Sequence, residues 1–353
     1  MQLQRMRVVV AMSGGVDSSA AAALMQEAGH EVLGITLRVW SYGDNARCGS
    51  CCSPEDIDDA RSVADALGIP FYVADAEELF RERVVQPFVK GYLGGQTPIP
   101  CVACNEDVKF GFLLQRARAL GAKLATGHYA RIGDQGGRLR LLRAKDLTKD
   151  QSYFLFTLGQ EALRDVLFPV GDLSKEEVRA VANRRGLATS HKPESMEICF
   201  VPDGNYAGFV ERVAGPQLGG DIVNAQGETL GRHDGIHRFT VGQRRGLGLA
   251  AATPLYVERI DAGRHQVVVG PAAALERERF TVLRPAWVDG CPAPDETVQV
   301  RIRHRHAGAP ARVTPLDAGR VSVELLEPVR AVTPGQAAVF YRDAEVLGGG
   351  WIG

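Results

Sequence analysis

Apolar runs of strand length alternate with longer runs of helical period over the first 200 positions of this 353-residue chain. The runs at 7–12, 31–39, 71–75 and 123–126 predict buried strands. Helical spacing predicts helices at 18–28, 54–67, from the third strand to about 92, and at 109–120 and 174–185. Strands that alternate with helices are typical of an α/β fold, so we predict a doubly wound parallel sheet with helices on both faces.

The pattern changes after about residue 201. Glycine becomes frequent, and apolar runs shorten to strand length between turn residues at 255–260, 266–269, 298–303, 321–326 and 337–341. Short strands at such spacing predict antiparallel sheet or small barrels. Pro271 begins a break between two strand-rich groups. We therefore predict three domains: an α/β domain at 1–200, a small β-rich domain at 201–271 and a β-barrel at 272–353.

Composition narrows the function classes. No run of about eighteen uncharged apolar residues is present, and the N-terminus has no signal-peptide pattern, which predicts a cytoplasmic protein without a membrane partner. The formal net charge is -1, so the whole chain does not indicate a nucleic-acid partner. Positions 201–353 contain 17 arginines, 17 acidic residues and no lysine. Arginine suits phosphate binding, but GC-rich codons would favour it equally.

The sharpest motif is Ser-Gly-Gly-Val-Asp-Ser at 13–18, which directly follows a predicted strand and begins a predicted helix. Glycines allow a phosphate to approach the backbone, and a helix N-terminus presents N–H groups and a favourable dipole. Ser13 and Ser18 can donate hydroxyl hydrogen bonds to the same phosphates, and Asp17 can hold a bridging Mg²⁺. The motif lacks the Gly-Lys-Ser/Thr of a Walker A loop. It predicts a phosphate site of another type.

Seven cysteines, an odd number in a chain expected in the cytoplasm, disfavour a structural disulfide framework. Cys48 with Cys51, and Cys101 with Cys104, form two Cys-x-x-Cys pairs, and Cys52 adjoins the first. Two such pairs are typical of a structural zinc site. On spacing alone, zinc is the first hypothesis for these thiols.

The loop at 13–18 resembles that of the ATP pyrophosphatases, which split ATP between the α and β phosphates. Further motifs surround Cys104 (TPIPCVACNE, 97–106) and Cys199 (KPESMEICFV, 192–201), and others lie at 126–131, 149–155, 231–235 and 240–248. Together they resemble the bacterial tRNA 2-thiouridylases, from about residue 7 to the C-terminus. The resemblance implies an ATP-pyrophosphatase catalytic domain that replaces the 2-oxygen of the wobble uridine with sulfur. It also implies two partners: the tRNA anticodon stem-loop and a sulfur-donor protein.

The resemblance also implies roles for individual residues. Cys104 would be the catalytic thiol and Cys199 the carrier of a persulfide, and the two would finish as a disulfide. ATP with Mg²⁺ would bind at the loop and at two residues beside the adenine, Leu37 and Gly127. The loop residues implied for this binding are Ala11, Met12, Ser13, Gly14, Gly15, Val16, Asp17 and Ser18. The residues implied for tRNA contact are Cys101, His128, Lys149, Asp150, Gln151, Arg303, His304 and Gln336.

Arg301, Arg303 and Arg305 alternate with other residues, so on a strand they would share one face that suits backbone phosphates. The alternative is an ordinary solvated strand face. Because the wobble base must reach both ATP and a thiol, we expect it to be flipped out of the anticodon stack.

One departure from the family affects the thiols. Many members have aspartate three residues before the nucleophile, where this chain has Cys101, so the role of that aspartate does not transfer. Three readings stay open: a persulfide on Cys199, a [4Fe–4S] cluster on Cys101, Cys104 and Cys199, and structural zinc. Two rival functions also stay open: another tRNA-adenylating ligase, such as a tRNA lysidine synthetase, and a tRNA-binding protein with a degenerate nucleotide domain.

Overall fold

The computed structural model describes residues 5–40, 54–193, 198–317 and 319–353, and the chain divides into two units. Unit 1 comprises Met1–Val84, Cys101–Gly204 and Ala344–Val346. Unit 2 comprises Val85–Pro100, Asn205–Asp343 and Leu347–Gly353. The change of unit after Gly204 falls close to the predicted boundary at 200. The further division at 271 stays a prediction.

Unit 1 is built on a five-stranded sheet in which every pairing is parallel. Its strands are β1 (Arg7–Ala11), β2 (Glu31–Arg38), β3 (Phe71–Asp75), β4 (Lys123–Thr126) and β7 (Val166–Leu167), in the order β3-β2-β1-β4-β7. The chain moves outward from β1 to β3 and then crosses to the other side of β1 to form β4. This reversal makes the sheet doubly wound, as predicted, and places its switch point between β1 and β4.

The helices of unit 1 follow the predicted pattern with one correction. They are α1 (Val16–Glu27), α2 (Pro54–Leu67), α3 (Glu77–Phe80), α6 (Leu114–Ala119), α7 (Gln160–Leu163) and α8 (Lys175–Arg184). The helix predicted to begin at Lys109 begins earlier, because α5 (Pro100–Ala103) continues directly into a π-helical segment, Cys104–Leu113. Cys104, which lies before the helix predicted at 109–120, is therefore inside the helical run.

A hairpin that the sequence analysis did not predict completes unit 1. It consists of β5 (Ala130–Gln135) and β6 (Arg138–Arg143), which are antiparallel. The free edge of β6 pairs with residues from much later in the chain, since Glu345 lies opposite Leu142 and Val346 opposite Leu141. The hairpin follows β4 after three residues, so its start is held close to the switch point.

In unit 2, a four-stranded sheet and two helices form a first group. The strands are β8 (Gly220–Val223), β9 (Thr229–His233), β10 (Tyr256–Asp261) and β11 (Gln266–Gly270), in the order β10-β11-β8-β9. Helices α4 (Gln86–Leu93) and α9 (Tyr206–Ala214) contact each other through aromatic rings. The centroids of Phe88 and Phe209 are 6.2 Å apart, and Tyr92 stacks on Tyr206 at 4.7 Å.

Six further strands of unit 2 close into a barrel. They are β12 (Glu276–Trp287), β13 (Val298–Arg301), β14 (Ala309–Asp317), β15 (Arg320–Arg330), β16 (Ala337–Arg342) and β17 (Glu345–Ile352), in the order β12-β15-β14-β13-β16-β17, and β12 also pairs with β17. Inward-facing valines, alanines and Phe340 fill the barrel. The predicted C-terminal barrel is confirmed. No helix among the described residues of either unit is both long and apolar enough to span a membrane.

Helix α8 shows how the local sequence sets a boundary. Ser174 is the N-cap, and its hydroxyl accepts a hydrogen bond from the Glu177 N–H at 3.2 Å. The Glu177 carboxylate in turn accepts from the Ser174 N–H at 2.7 Å. Gly186, with φ +65°, follows the helix in the left-handed conformation that favours glycine. The capping box and the terminal glycine mark the two ends of the helix predicted at 174–185.

We predict that Ser174→Ala lowers the free energy of unfolding by about 1 kcal/mol, because the Glu177 N–H at the start of α8 loses the hydroxyl that accepts its hydrogen bond. Urea unfolding followed by circular dichroism measures the change. Ser62→Ala is the control, since Ser62 is an exposed residue inside α2 where alanine is at least as favourable. Equal stability of Ser174→Ala and the unchanged protein would contradict the prediction.

Candidate active site

The loop between β1 and α1 leaves the N-terminus of α1 available to an anion. Gly15 is the N-cap of α1 and supplies no side chain to cap it. Inside the loop, the Ser18 hydroxyl donates to the Gly15 carbonyl at 3.0 Å and accepts from the Ser13 N–H at 3.1 Å. These bonds hold the loop in a tight curve over the first turn of the helix. N–H groups at a helix start that no side chain caps can bind a phosphate, so the loop has the geometry that the predicted phosphate site requires.

Two glycines are required by close contacts at this loop. Gly14 has φ +71°, and a Cβ built on it would lie 2.2 Å from the Asp56 carbonyl oxygen on α2. A Cβ on Gly127, just after β4, would lie 2.6 Å from the Ser18 nitrogen and 2.7 Å from the Asp17 carbonyl carbon. The end of β4 therefore packs directly on the backbone of α1, and no side chain fits between them.

Asp17, in the first turn of α1, is held by two groups that the sequence analysis missed. The Lys175 ammonium lies 2.7 Å from Asp17 Oδ1, and the Tyr129 hydroxyl donates to the same oxygen at 2.8 Å. The side chain of Lys175 is only 9% exposed, and its nitrogen lies 5.7 Å from the centroid of the Tyr129 ring. One signal was present in the sequence. Lys175 is the first residue of α8, where the helix dipole disfavours a cation unless a partner is supplied.

His128 lies beside the loop in a neutral state. Lys109 Nζ is 3.4 Å from its Nε2, and Thr126 Oγ1 is 2.8 Å from its Nδ1. Burial, and then the charge of Lys109, lower the pKa of His128 well below its usual value. The ammonium can only donate, so Nε2 accepts and the proton on Nδ1 is donated to Thr126. The rings of Phe110 and Phe168 pack near the imidazole, with their centroids 5.9 and 6.3 Å from its centroid.

Asp150 and Gln151 are turned into the protein. Asp150 is 4% exposed, and its Oδ1 accepts from the N–H groups of Ala144 and Ser152, both at 3.2 Å. The Gln151 side-chain oxygen accepts from the Tyr129 N–H at 2.9 Å. These side chains thus support the loop that carries Tyr129. Their assignment to tRNA contact stays a prediction.

The remaining residues implied for ATP and tRNA in unit 1 lie at the carboxyl edge of the sheet or just beyond it. Met12 and Leu37 are buried, Ala11 and Val16 border the loop, and Lys149 is half-buried. Because β1, β2 and β4 are parallel, their carboxyl ends meet at one edge next to the switch point, where ligands bind in sheets of this type.

The thiols lie on two different segments of unit 1. Cys101 is exposed and Cys104 half-buried, three residues apart on the helical run, so they share a face. Cys199 is half-buried and precedes Phe200, whose ring contacts Phe80 at 5.7 Å. The helix of Phe80 also packs against the segment that begins at Cys104.

Metal binding by these thiols is not supported by the geometry. Among the described residues, no three His, Cys, Asp or Glu side chains are grouped so that they could hold a metal ion. Within the described part of the chain, Cys101, Cys104 and Cys199 are therefore not grouped as the ligands of a [4Fe–4S] cluster, one of the three open readings, would be. Cys48, Cys51 and Cys52 of the zinc hypothesis lie outside the described residues.

In unit 2, the predicted arginine face is corrected. β13 ends at Arg301, so Arg303 and Arg305 lie in the turn that follows and do not share a strand face with it. The cause is local, because the Arg301 guanidinium donates to the carbonyls of His304 and His306 and folds the chain back. Arg303 and Arg305 are exposed and His304 is half-buried.

Gln336, the last residue implied for tRNA contact, is half-buried in the turn before β16. Its side-chain nitrogen donates to the Thr97 carbonyl at 2.9 Å, within unit 2. This bond fixes the segment 96–97 beside the barrel. A role in tRNA contact stays a prediction for this residue.

Comparison with known proteins gives first the class to which this site belongs. Residues 6–203 match the family described as tRNA methyl transferase HUP domain. Residues 207–271 match the tRNA methyl transferase PRC-barrel domain, and residues 277–352 match the aminomethyltransferase beta-barrel domain. The three matches follow one another along nearly the whole chain.

The individual relatives are more specific. The chain is 51% identical over 359 residues to the tRNA-specific 2-thiouridylase MnmA of Geotalea uraniireducens, covering 99% of this chain and 95% of that protein. It is 52% identical over 356 residues to MnmA of Geobacter metallireducens, covering 99% and 97%, and 51% identical over 351 residues to MnmA of Chloroflexus aurantiacus, covering 98% of each. The chain belongs to the tRNA-specific 2-thiouridylase family.

We predict that Gly127→Ala weakens ATP binding at least tenfold, because the new methyl group would push β4 away from the first turn of α1. Isothermal titration with ATP measures the loss. Gly159→Ala is the matched control, since Gly159 has φ −86° and a Cβ there meets nothing within 4 Å. Unchanged ATP affinity in Gly127→Ala would show that the contact does not shape the site.

Proposed function

We propose that the protein catalyses ATP-dependent 2-thiolation of the wobble uridine of tRNA. The observation that carries the proposal is the intact phosphate loop at the switch point, together with two half-buried cysteines on elements that pack against α3. Membership of the 2-thiouridylase family supports the same reaction. ATP supplies the activation, and the thiols supply the sulfur chemistry.

The first step is adenylation of the base. The uracil O2 attacks the α-phosphorus of ATP, pyrophosphate leaves, and the poor leaving group at C2 becomes a good one. The N-terminus of α1 and the Ser13 and Ser18 hydroxyls bind phosphate oxygens. Asp17 fits a Mg²⁺ bridge, because Mg²⁺ is commonly held by one carboxylate together with substrate phosphates. That ion would neutralise charge on the departing pyrophosphate, and the buried Lys175 ammonium beside Asp17 adds to this field.

The second step transfers sulfur. The terminal sulfur of a persulfide on Cys199 attacks C2 and AMP leaves, giving a disulfide link between Cys199 and the base. The Cys104 thiolate then attacks Cys199 Sγ, which forms the Cys104–Cys199 disulfide and releases 2-thiouridine. A sulfur-donor protein and a reductant of the disulfide complete the cycle.

The tRNA must present its wobble base outside the anticodon stack. In unit 1, Cys101, His128 and the backbone at 149–151 are proposed to contact the RNA near this base. A neutral His128 brings no charge of its own into the site. In unit 2, Arg303, His304 and Gln336 are proposed to contact the RNA, with Arg303 on a backbone phosphate.

We predict that Cys199→Ser abolishes 2-thiouridine formation but leaves pyrophosphate release with ATP, Mg²⁺ and tRNA, and that Cys104→Ser slows thiolation at least a hundredfold. Mass spectrometry of digested tRNA and a pyrophosphate assay measure the two steps. Cys291→Ser is the control, because Cys291 is exposed in unit 2. Full ATP-dependent modification of the tRNA by the doubly substituted enzyme would favour another adenylating ligase, which needs no cysteine. Absence of pyrophosphate release in the unchanged enzyme would instead favour a binding protein.

We predict that Arg303→Ala weakens tRNA binding several-fold and lowers the slope of log affinity against log salt by about one, as expected for the loss of one phosphate contact. ATP affinity should not change. Filter binding at several salt concentrations provides the measurement. Arg312→Ala, which removes another exposed arginine of the same barrel, is the charge-matched control. Equal affinities and slopes for both variants would refute a specific contact at Arg303.

A further inference from the structure

Lys192 joins the segment that leads to Cys199 to helix α2. Its ammonium lies 2.7 Å from Asp56 Oδ1 and also forms an ion pair with Asp59, three residues further on the same helix. Asp56 is almost fully buried, and the Lys192 side chain is 24% exposed. Partial burial lowers the pKa of Lys192, but the hydrogen bonds to both carboxylates outweigh it and raise the pKa overall. The lysine is therefore charged, and it neutralises a carboxylate that has little access to water.

The backbone around Lys192 is held from a second side. Arg179 on α8 donates one guanidinium hydrogen bond to the Ser190 carbonyl at 2.6 Å and another to the Lys192 carbonyl at 3.1 Å. The backbone of the segment is thus fixed by α8 while its side chain is fixed by α2. A single exposed ion pair contributes little to stability. Here the contacts with α2 and α8 together determine where Lys192 lies.

The far end of the same segment is also attached. Phe200, immediately after Cys199, has its ring centroid 5.7 Å from that of Phe80 and 6.3 Å from that of Trp40, which follows β2. Cys199 therefore lies seven residues after one anchor and one residue before the other. Residues 194–197 between them lie outside the described part of the chain.

Asp56 connects this anchor to the phosphate loop. The Cβ that Gly14 lacks would lie 2.2 Å from the Asp56 carbonyl oxygen and 2.8 Å from its Cα, so the loop rests on the backbone of the residue whose carboxylate binds Lys192. One residue of α2 thus contacts the ATP loop through its backbone and the Cys199 segment through its side chain. None of the candidate ATP, thiol or tRNA residues includes Lys192 or Asp56.

We infer that Lys192 and Asp56 form a positioning pair that holds the Cys199 segment at a fixed place relative to the phosphate loop, so that the persulfide reaches the base adenylated there. The inference rests on the proposed function. Neither residue touches a reacting atom in this scheme. Their effect is on the transfer of sulfur after the base has been adenylated, and not on ATP binding or adenylation.

The test compares Lys192→Met with Lys192→Arg in single-turnover reactions with tRNA, ATP and Mg²⁺, after a small-molecule persulfide donor has loaded Cys199. Loading is quantified by mass spectrometry, and thiolation rates are expressed per loaded persulfide. We expect Lys192→Met to release pyrophosphate within twofold of the unchanged enzyme, with the same KM for ATP, and to form 2-thiouridine at least tenfold more slowly. Lys192→Arg should restore most of the rate, because it can bridge the same two carboxylates.

Arg184→Met is the matched control, since Arg184 forms an exposed ion pair with Glu27 on α1 and not with α2. Both rates should be unchanged in it. Equal losses of pyrophosphate release and thiolation in Lys192→Met, or no loss of either, would overturn the positioning role. A parallel Cys199→Ser reaction separates the two proposals. If it still forms 2-thiouridine, the sulfur route itself fails; if it does not and Lys192→Met is fully active, only the positioning pair fails.

Discussion

The packing of Gly127 on the first turn of α1 is the constraint on which the site depends. No side chain fits between the end of β4 and the backbone of Asp17 and Ser18, so the end of β4 is held against the first turn of α1. The phosphate loop lies above one strand end, and His128 and Tyr129 follow the other. Any substitution that widened the contact of Gly127 with α1 would increase the distance between the loop before α1 and the residues after β4.

Charged groups add to the effect of packing at the start of α1. The N-terminus of α1 is the positive end of a helix dipole, and Asp17 in its first turn is the only side chain there that carries charge. Lys175 approaches from the start of α8, where its own helix disfavours it, and Asp17 compensates for that cost. The result is a helix N-terminus with a cation already in place and a carboxylate oriented by two donors. His128, kept neutral nearby, adds hydrogen bonding without further charge.

The sequence was sufficient for elements whose signal is local. Buried apolar runs identified the parallel strands, and helical spacing identified α8. The sequence did not predict features that depend on a contact between residues far apart in the chain, or on a hydrogen bond between a side chain and the backbone. The run Arg-Ile-Arg-His-Arg alternates like a strand, but Arg301 bonds carbonyls ahead of it and makes a turn. Likewise, nothing near Lys175 in the sequence indicates that it meets Asp17, 158 positions away.

The pairing of Glu345 and Val346 with β6 has a consequence for the order of folding during synthesis. Their partners in the hairpin are made about 200 residues earlier, and until Ala344–Val346 leaves the ribosome the outer edge of β6 has no strand beside it. An unpaired edge is a template for association with other chains. The nascent first unit therefore has an exposed strand edge for most of translation, which makes a chaperone useful to a protein whose finished structure leaves that edge covered.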